Sequence, residues 1–237
     1  MINNLCVIVP TRGRPHNIRR LMEAWRLTDA TADLMVCVDL DDPEIEEYKR
    51  VVADPSLCTA QITLHSGPRL RLGPTLNHYA GGAAKHWRYL GFMGDDHVPV
   101  TALWDQEMTK QLDRLGTGIA YGNDLFQGEN LPTAVFLTSD IVRTLGYMCP
   151  PNLVHMYLDN TWKAWGQALG RLRYCPEIII EHLHPQAGGK AAEDEGYHEV
   201  WPYMETDWPV WEEYRTSPTG LAADVAKLKG LVDGTAE

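Results

Sequence analysis

Three short apolar runs, "LCVIV" (5–9), "LMVCV" (34–38) and "YLGFM" (89–93), each end at a polar turn, and helically periodic stretches separate them. Continuous apolar runs of this length fit strands buried on both faces, which arise where helices cover both sides of a parallel sheet. The intervening pattern agrees. Ile18, Leu21, Met22 and Trp25 fall on one helical face, and Pro15 suits the first turn of that helix. "EIEEYKRVVA" predicts a short helix with an acidic start, Ile62 to Leu64 a weaker strand, and Gly73-Pro74 the start of a helix of small residues. The chain is therefore expected to be α/β, with a parallel sheet and right-handed crossovers.

The second half is less regular. "TALWDQEMTKQLDRL" is helical by period, "GIAYGND" and "TAVFLTSDIVRTLG" predict a strand and then a strand-helix pair, and "YLDNTWKAWGQALGRL" predicts a helix with Asp159 near its start. "EIIIEHLHP" predicts a strand ending in two histidines. Residues 186–195 read as a mobile Gly-rich loop, and "WPYMETDWPVWEEY" as an aromatic and acidic wrap. Leu221, Val225, Leu228 and Val232 share one face of a last, docking helix. Neither a repeat nor a separating linker is evident. The expected organisation is one domain over residues 1–190, with a loop and docking helix, 191–237, packed on it.

Net charge bounds the partners. With 32 acidic against 21 basic residues, the chain carries a formal charge of −11, which opposes non-specific adhesion to nucleic acid or acidic lipid. Five scattered cysteines without a C-x-x-C pair read as buried free thiols in a reducing compartment. Leu5 to Pro10 is too short for a signal or membrane segment, so a cytoplasmic protein with no membrane insertion is expected.

Polar clusters stand at three predicted strand ends: Thr11 to Arg14, Asp39 to Asp42, and Asp95 to His97. Carboxyl ends of parallel strands share one edge, where open α/β sheets bind ligands. One crevice would then combine arginines with crowded carboxylates, and a hard divalent cation relieves such crowding while gripping phosphate. Asp39, Asp41 and Asp42 read equally as a solvated turn before Pro43. Two carboxylates and a histidine directly after a buried strand are harder to explain by solubility.

The order of these features, "VIVPTRGRP", "VCVDLDDP", the Asp95-Asp96 pair after "YLGFM", "YLDNTW" and "HLHP", resembles GT-A (Rossmann-like) fold glycosyltransferases, most nearly family-2-like enzymes that include small phage-encoded ones. The resemblance spans residues 5 to about 190. It implies a mostly parallel sheet flanked by helices and a C-terminal helical extension. It also implies an inverting, Mn²⁺- or Mg²⁺-dependent transfer of sugar from a nucleotide-sugar donor, with UDP favoured. On that likeness, Pro10, Thr11, Arg12 and Arg14 line the nucleotide pocket, Asp39 meets the base with Asp41 beside it, and Asp96 holds the metal. Asp95 takes ribose or metal, because Gly94 replaces the first acid of the family's Asp-x-Asp triplet.

Arg71 and Lys190 would assist the leaving diphosphate, and Asn77 lies where related enzymes place a polar residue near the donor. Lys190 reads equally as solvated surface and Asn77 as helix-surface polarity. Asp159 would be the base that takes the acceptor's proton, its alternative role being a helix N-cap. His182 and His184, two apart on a strand, point to one side and are candidate metal ligands, His184 foremost. The segment from Gln186 to Tyr197 would close over bound donor and exclude water.

Trp104, Asp105 and Asp124 are expected to border the acceptor, although tryptophans more often serve packing. The acceptor is open among a modified DNA base, a protein, a glycan and a small molecule. Arg12, Arg14, Arg19, Arg20, Arg69, Arg71, Lys85 and Arg88 would form the basic strip a polyanion needs. Two other readings remain: a sugar-phosphate nucleotidyltransferase, and a non-catalytic nucleotide- or carbohydrate-binding module.

Overall fold

The computed structural model describes residues 4–187 and 195–234. Strands and helices first alternate: β1 (Leu5–Thr11), α1 (Pro15–Leu27), β2 (Asp33–Asp39), α2 (Ile45–Val52), β3 (Ile62–Gly67), α3 (Leu72–Ala83) and β4 (Tyr89–Phe92). The chain continues through β5 (His97–Pro99), α4 (Trp104–Leu115), β6 (Ile119–Asn123), β7 (Val135–Thr138), α5 (Ser139–Leu145), α6 (Leu158–Leu169) and β8 (Leu172–His182). Three helices follow: α7 (Glu195–Val200), α8 (Tyr203–Thr216) and α9 (Leu221–Val232).

The sheet has the order β3-β2-β1-β4-β7-β6-β8-β5. Strands β1 to β4 are parallel, as the crossovers require. β7 runs antiparallel between β4 and β6, β8 pairs parallel with β6, and β5 pairs antiparallel with β8. The sheet is thus mixed, with β7 and β5 opposing the rest. The carboxyl ends of β1, β2, β4, β6 and β8 still share one edge, which brings Thr11, Asp39, Asp95, Asp124 and His182 toward common ground.

Alternation along β1 explains the two-sided core. Val7 and Val9 join Ile18, Leu21, Trp25, Val36, Trp104 and Phe136 on one face. Cys6 and Ile8 join Leu76, Ala80, Leu90, Leu137, Trp162 and Trp165 on the other. Each fully buried side chain of this kind contributes about 1.5–3 kcal/mol relative to exposure. All five cysteines are free and buried in these layers or beside them.

Trp104 and Asp105 are not at an acceptor surface. Trp104 is fully buried, edge-on to Trp25 at 4.9 Å. The Asp105 carboxylate accepts from the backbone N–H of Thr31 (2.7 Å) and Ala32 (2.8 Å), tying α4 to the turn before β2. Asp105→Ala should leave two N–H groups without their acceptor and cost about 1–3 kcal/mol in urea unfolding. An unchanged midpoint would refute this anchoring role.

The stretch 203–216 is a regular helix rather than a wrap, with Pro209 inside it. Buried Asp207 accepts from the backbone N–H of His155 and Met156 at 2.7 and 2.8 Å, so α8 holds the loop that leads into α6. α9 docks through Asp224, whose carboxylate accepts phenolic hydrogens from Tyr147 and Tyr214, each at 2.7 Å. Among the described residues no helix is long and apolar enough to cross a membrane.

Candidate active site

A cavity of about 800 Å³ opens at the shared strand edge. Its walls include Pro10, Thr11, Arg12, Arg14, Asp39, Arg71, Asp95, Asp96, Asp159, His182 and His184. Asp41 is exposed beside this wall, joined to it by Arg12. Most residues singled out from the sequence are therefore brought together. Lys190 and the rest of 188–194 lie outside the described residues.

Asp95 is held by three neighbours. Thr11 Oγ1 donates to Oδ2 at 2.6 Å, while Arg14 Nη1 and Asn17 Nδ2 each reach Oδ1 at 3.3 Å. Burial and the neighbouring Asp96 charge raise the Asp95 carboxyl above its ordinary range. Burial also works against ionising Asp96, but the charged His182 ring outweighs it and holds that carboxyl well below its ordinary value. Two adjacent acids thus have opposite proton affinities.

Short β5 was not evident in the sequence, and it places His97 directly opposite His182 on β8. The two rings stack at 4.2 Å. His182 Nε2 lies 3.4 Å from Asp96 Oδ2, and His97 Nδ1 lies 3.3 Å from Asp96 Oδ1. Ligating atoms of Asp96, His97 and His182 all fall within 4.8 Å of one another. His97 Nδ1 also accepts from the Gly94 N–H at 3.1 Å, and burial together with the His182 charge depresses its pKa. A neutral ring in that tautomer sets two electron-rich atoms, His97 Nδ1 and Asp96 Oδ1, against each other. One carboxylate and two imidazoles suit Mn²⁺ or another divalent ion, so these residues fit a metal.

His184 is not in this group. β8 stops at His182, so the two-residue alternation no longer applies, and His184 instead stacks on Phe126 at 5.4 Å. The second ring is His97, which sits in the Gly94–His97 cluster already conspicuous in the sequence. Asp124 is likewise no acceptor-side group. It accepts from the N–H of Phe126, Gln127 and Gly128 and from Thr133 Oγ1, all within 3.0 Å. With Oδ2 3.9 Å from His182 Nδ1, it stands behind that ring. Burial lowers the affinity of His182 for its proton, yet Asp124 and Asp96 overcome this and raise its pKa to about 9. Such outer carboxylates orient metal-binding imidazoles.

Asn77 does not face a donor: its amide bonds the backbone of Met148 and Cys149 at 2.8–3.1 Å. Arg12 Nη1 donates to Asp39 Oδ2 (3.0 Å) and Asp41 Oδ1 (2.6 Å), so these acids pair with an arginine before any base is present. The Gly13 N–H, at a positive φ of 67°, is held by Asp42 at 2.8 Å. The basic strip is broken up: Arg12, Arg14, Arg19, Arg69, Arg71 and Arg88 each face a carboxylate.

Arg71 and Tyr157 are non-glycine residues at positive φ, 70° and 65°. Arg71, with ψ 179°, occupies a region nearly reserved for glycine, at about 1–3 kcal/mol, and strain of that kind collects at functional sites. Tyr157 precedes α6, so Asp159 lies in the first turn rather than at the N-cap. The Asp159 carboxylate accepts from the adjacent Asn160 N–H at 2.8 Å, and burial raises its pKa.

No family model matches this chain, and no curated protein matches it either. Solved structures do. TarS of S. aureus is 12% identical over 77% of this chain, with a TM-score of 0.54, and this chain spans only 37% of that one. Its 1–349 form in complex with UDP is matched over 98% of this chain and 83% of that chain, at 12% identity and a TM-score of 0.57. Mannosyltransferase PcManGT from Pyrobaculum calidifontis, in complex with GDP-Man and Mn²⁺, is 14% identical over 97% of this chain and 75% of that chain, at 0.56. A Bacillus anthracis chain described as a glucose-1-phosphate thymidylyltransferase is 9% identical over 80% of this chain and 97% of that chain, at 0.51. At such identities the likeness is one of fold alone, and that fold is the GT-A-like one these chains share.

Proposed function

We propose that this chain is a glycosyltransferase that moves a sugar from a nucleoside-diphosphate donor to an acceptor hydroxyl, with inversion and with the help of a divalent cation. The observation carrying this reading is the meeting of Thr11, Arg12, Arg14, Asp39, Asp95 and Asp96 along one wall of a cavity that also contains Asp159. Thr11, Arg14 and Asn17 fix Asp95 for a ribose hydroxyl, and Asp39, half-buried at the end of β2, faces the base. Asp96, His97 and His182 would hold the cation, which when bound neutralises charge on the diphosphate as it leaves.

Asp159 takes the proton of the acceptor hydroxyl as its oxygen bonds to the anomeric carbon and the carbon–oxygen bond to the diphosphate breaks. Arg71 meets the negative charge that develops on the leaving group. UDP is favoured as the leaving nucleoside diphosphate by the family resemblance, and GDP is the next to try, since TarS was solved with UDP and PcManGT with GDP-Man.

A nucleotidyltransferase shares this fold, as the thymidylyltransferase likeness indicates. The raised, cavity-facing Asp159 favours sugar transfer, because that reaction needs a base for a hydroxyl. UDP or GDP with MnCl₂, at a hundredfold excess over Kd, should raise Tm by about 5–10 °C. A nucleotide sugar should slowly release its nucleoside diphosphate. Pyrophosphate release from a nucleoside triphosphate and a sugar phosphate would instead establish the nucleotidyltransferase reading.

A further inference from the structure

Helix α7 lines the cavity through Tyr197, Glu199 and Val200. Glu199 is bonded by both Arg69 and Arg71, the latter through Nη1 at 2.8 Å. Two guanidiniums from the β3–α3 connection thus converge on one carboxylate, an arrangement suited to phosphate oxygens. Arg69 keeps a buried Nε without a hydrogen-bond partner, 3.7 Å from Asp39 Oδ2, so its donors are not exhausted by Glu199. Two residues earlier, the Tyr197 hydroxyl donates to Asp96 Oδ2 at 2.7 Å, the same oxygen that faces His182. The Arg14 guanidinium lies 4.6 Å from the centre of the Tyr197 ring.

The other arginines of this wall differ in one respect. Arg12 pairs with Asp39 and Asp41, and Arg14 with Asp95, all of which belong to the sheet edge itself. Glu199 comes from a six-residue helix outside the sheet, so its carboxylate can withdraw without breaking a strand. The pair is also partly solvated, with side-chain exposures of 28% and 29% for the arginines and 36% for Glu199, and ion pairs so placed are weak.

We infer that Arg69 and Arg71 form the seat for the donor's diphosphate, and that α7 fills the ligand-free site by imitation. The Glu199 carboxylate stands in for a phosphate and the Tyr197 hydroxyl for a metal contact on Asp96. This rests on the donor reading above. Donor and cation bind only as α7 leaves, so apparent affinity is reduced by the fraction of chains in which the helix is seated.

The test is calorimetric titration of UDP with MnCl₂ into wild-type protein, Glu199→Gln and Arg69→Ala. Glu199→Gln keeps the side-chain size and removes its charge. It should tighten UDP·Mn²⁺ binding roughly 5- to 10-fold, in line with loss of two weak ion pairs. Arg69→Ala should weaken it, and hydrogen exchange of amides 197–201 should quicken when the ligand is added. Unchanged or weaker binding by Glu199→Gln would overturn the inference while leaving the donor reading intact. If neither UDP nor GDP bound the wild type or Glu199→Gln, the donor reading would fail. Pyrophosphate with MnCl₂ would then judge the seat alone: tighter binding by Glu199→Gln sustains it, and equal binding sinks it.

Discussion

Asp159→Asn is expected to lower turnover by about 10²–10⁴-fold, the range typical of losing a general base. Donor affinity should stay within roughly twofold, because the lost interaction belongs to the transition state. The pH profile supplies the sign. Burial raises the Asp159 pKa, and the base works only when ionised, so activity persists above that raised value and falls as pH drops through it. The acid limb should therefore lie above the ordinary aspartate value of about 3.9. Stability runs the opposite way. The folded chain binds this proton more tightly than the unfolded chain, so the group's contribution is full below the unfolded value and is lost as pH rises through the folded one. Asp159→Asn should then match or exceed the wild type in Tm at neutral pH. Full activity in this variant would remove Asp159 from the mechanism.

Asp96→Asn is expected to abolish the Mn²⁺-dependent part of nucleotide binding and to reduce kcat/KM by about 10²–10³-fold, the scale of losing one electrostatic contact to developing charge. The amide keeps the shape but no longer offers an anionic ligand to the group formed with His97 and His182. Calorimetry with and without MnCl₂ reads this directly, and an undiminished metal response would shift the cation to another donor set. His182, raised to about 9 with help from the Asp96 charge, should then titrate lower, which its ring resonances report in NMR.

How far these features were legible in the sequence follows from their physics. Buried parallel strands such as β1, β2 and β4 carry apolar runs bounded by turns, and α1 carries a clear helical face, so the first half reads well. Three-residue β5 is too short to show a period, and with it went the placement of His97 opposite His182. Strand direction is a tertiary property, which is why the reversal of β7 left no local mark. The helix in 203–216 was hidden by Pro209 and by the acidic residues interleaved with its aromatics. Arg12, Arg14, Asp95 and Asp96 were found because strand ends converge. Asp105 and Asn77 are polar too but bind backbone, and Asp124 binds backbone while bracing His182, uses that nothing local in the sequence separates from ligand binding. Tyr197 and Glu199 carried no signal, since their partners lie more than a hundred residues away.

The five interior cysteines have a practical side. Burial keeps each thiol protonated at neutral pH, with Cys6 pushed up to about 12 and Cys175 to about 11, and Cys37, Cys58 and Cys149 also raised. Maleimides and similar reagents attack thiolates, so the native sulfurs are nearly inert to them. A fluorophore can thus be attached at an introduced cysteine, for instance in place of Leu40, which is 61% exposed at the turn after β2, without first stripping the chain of its own.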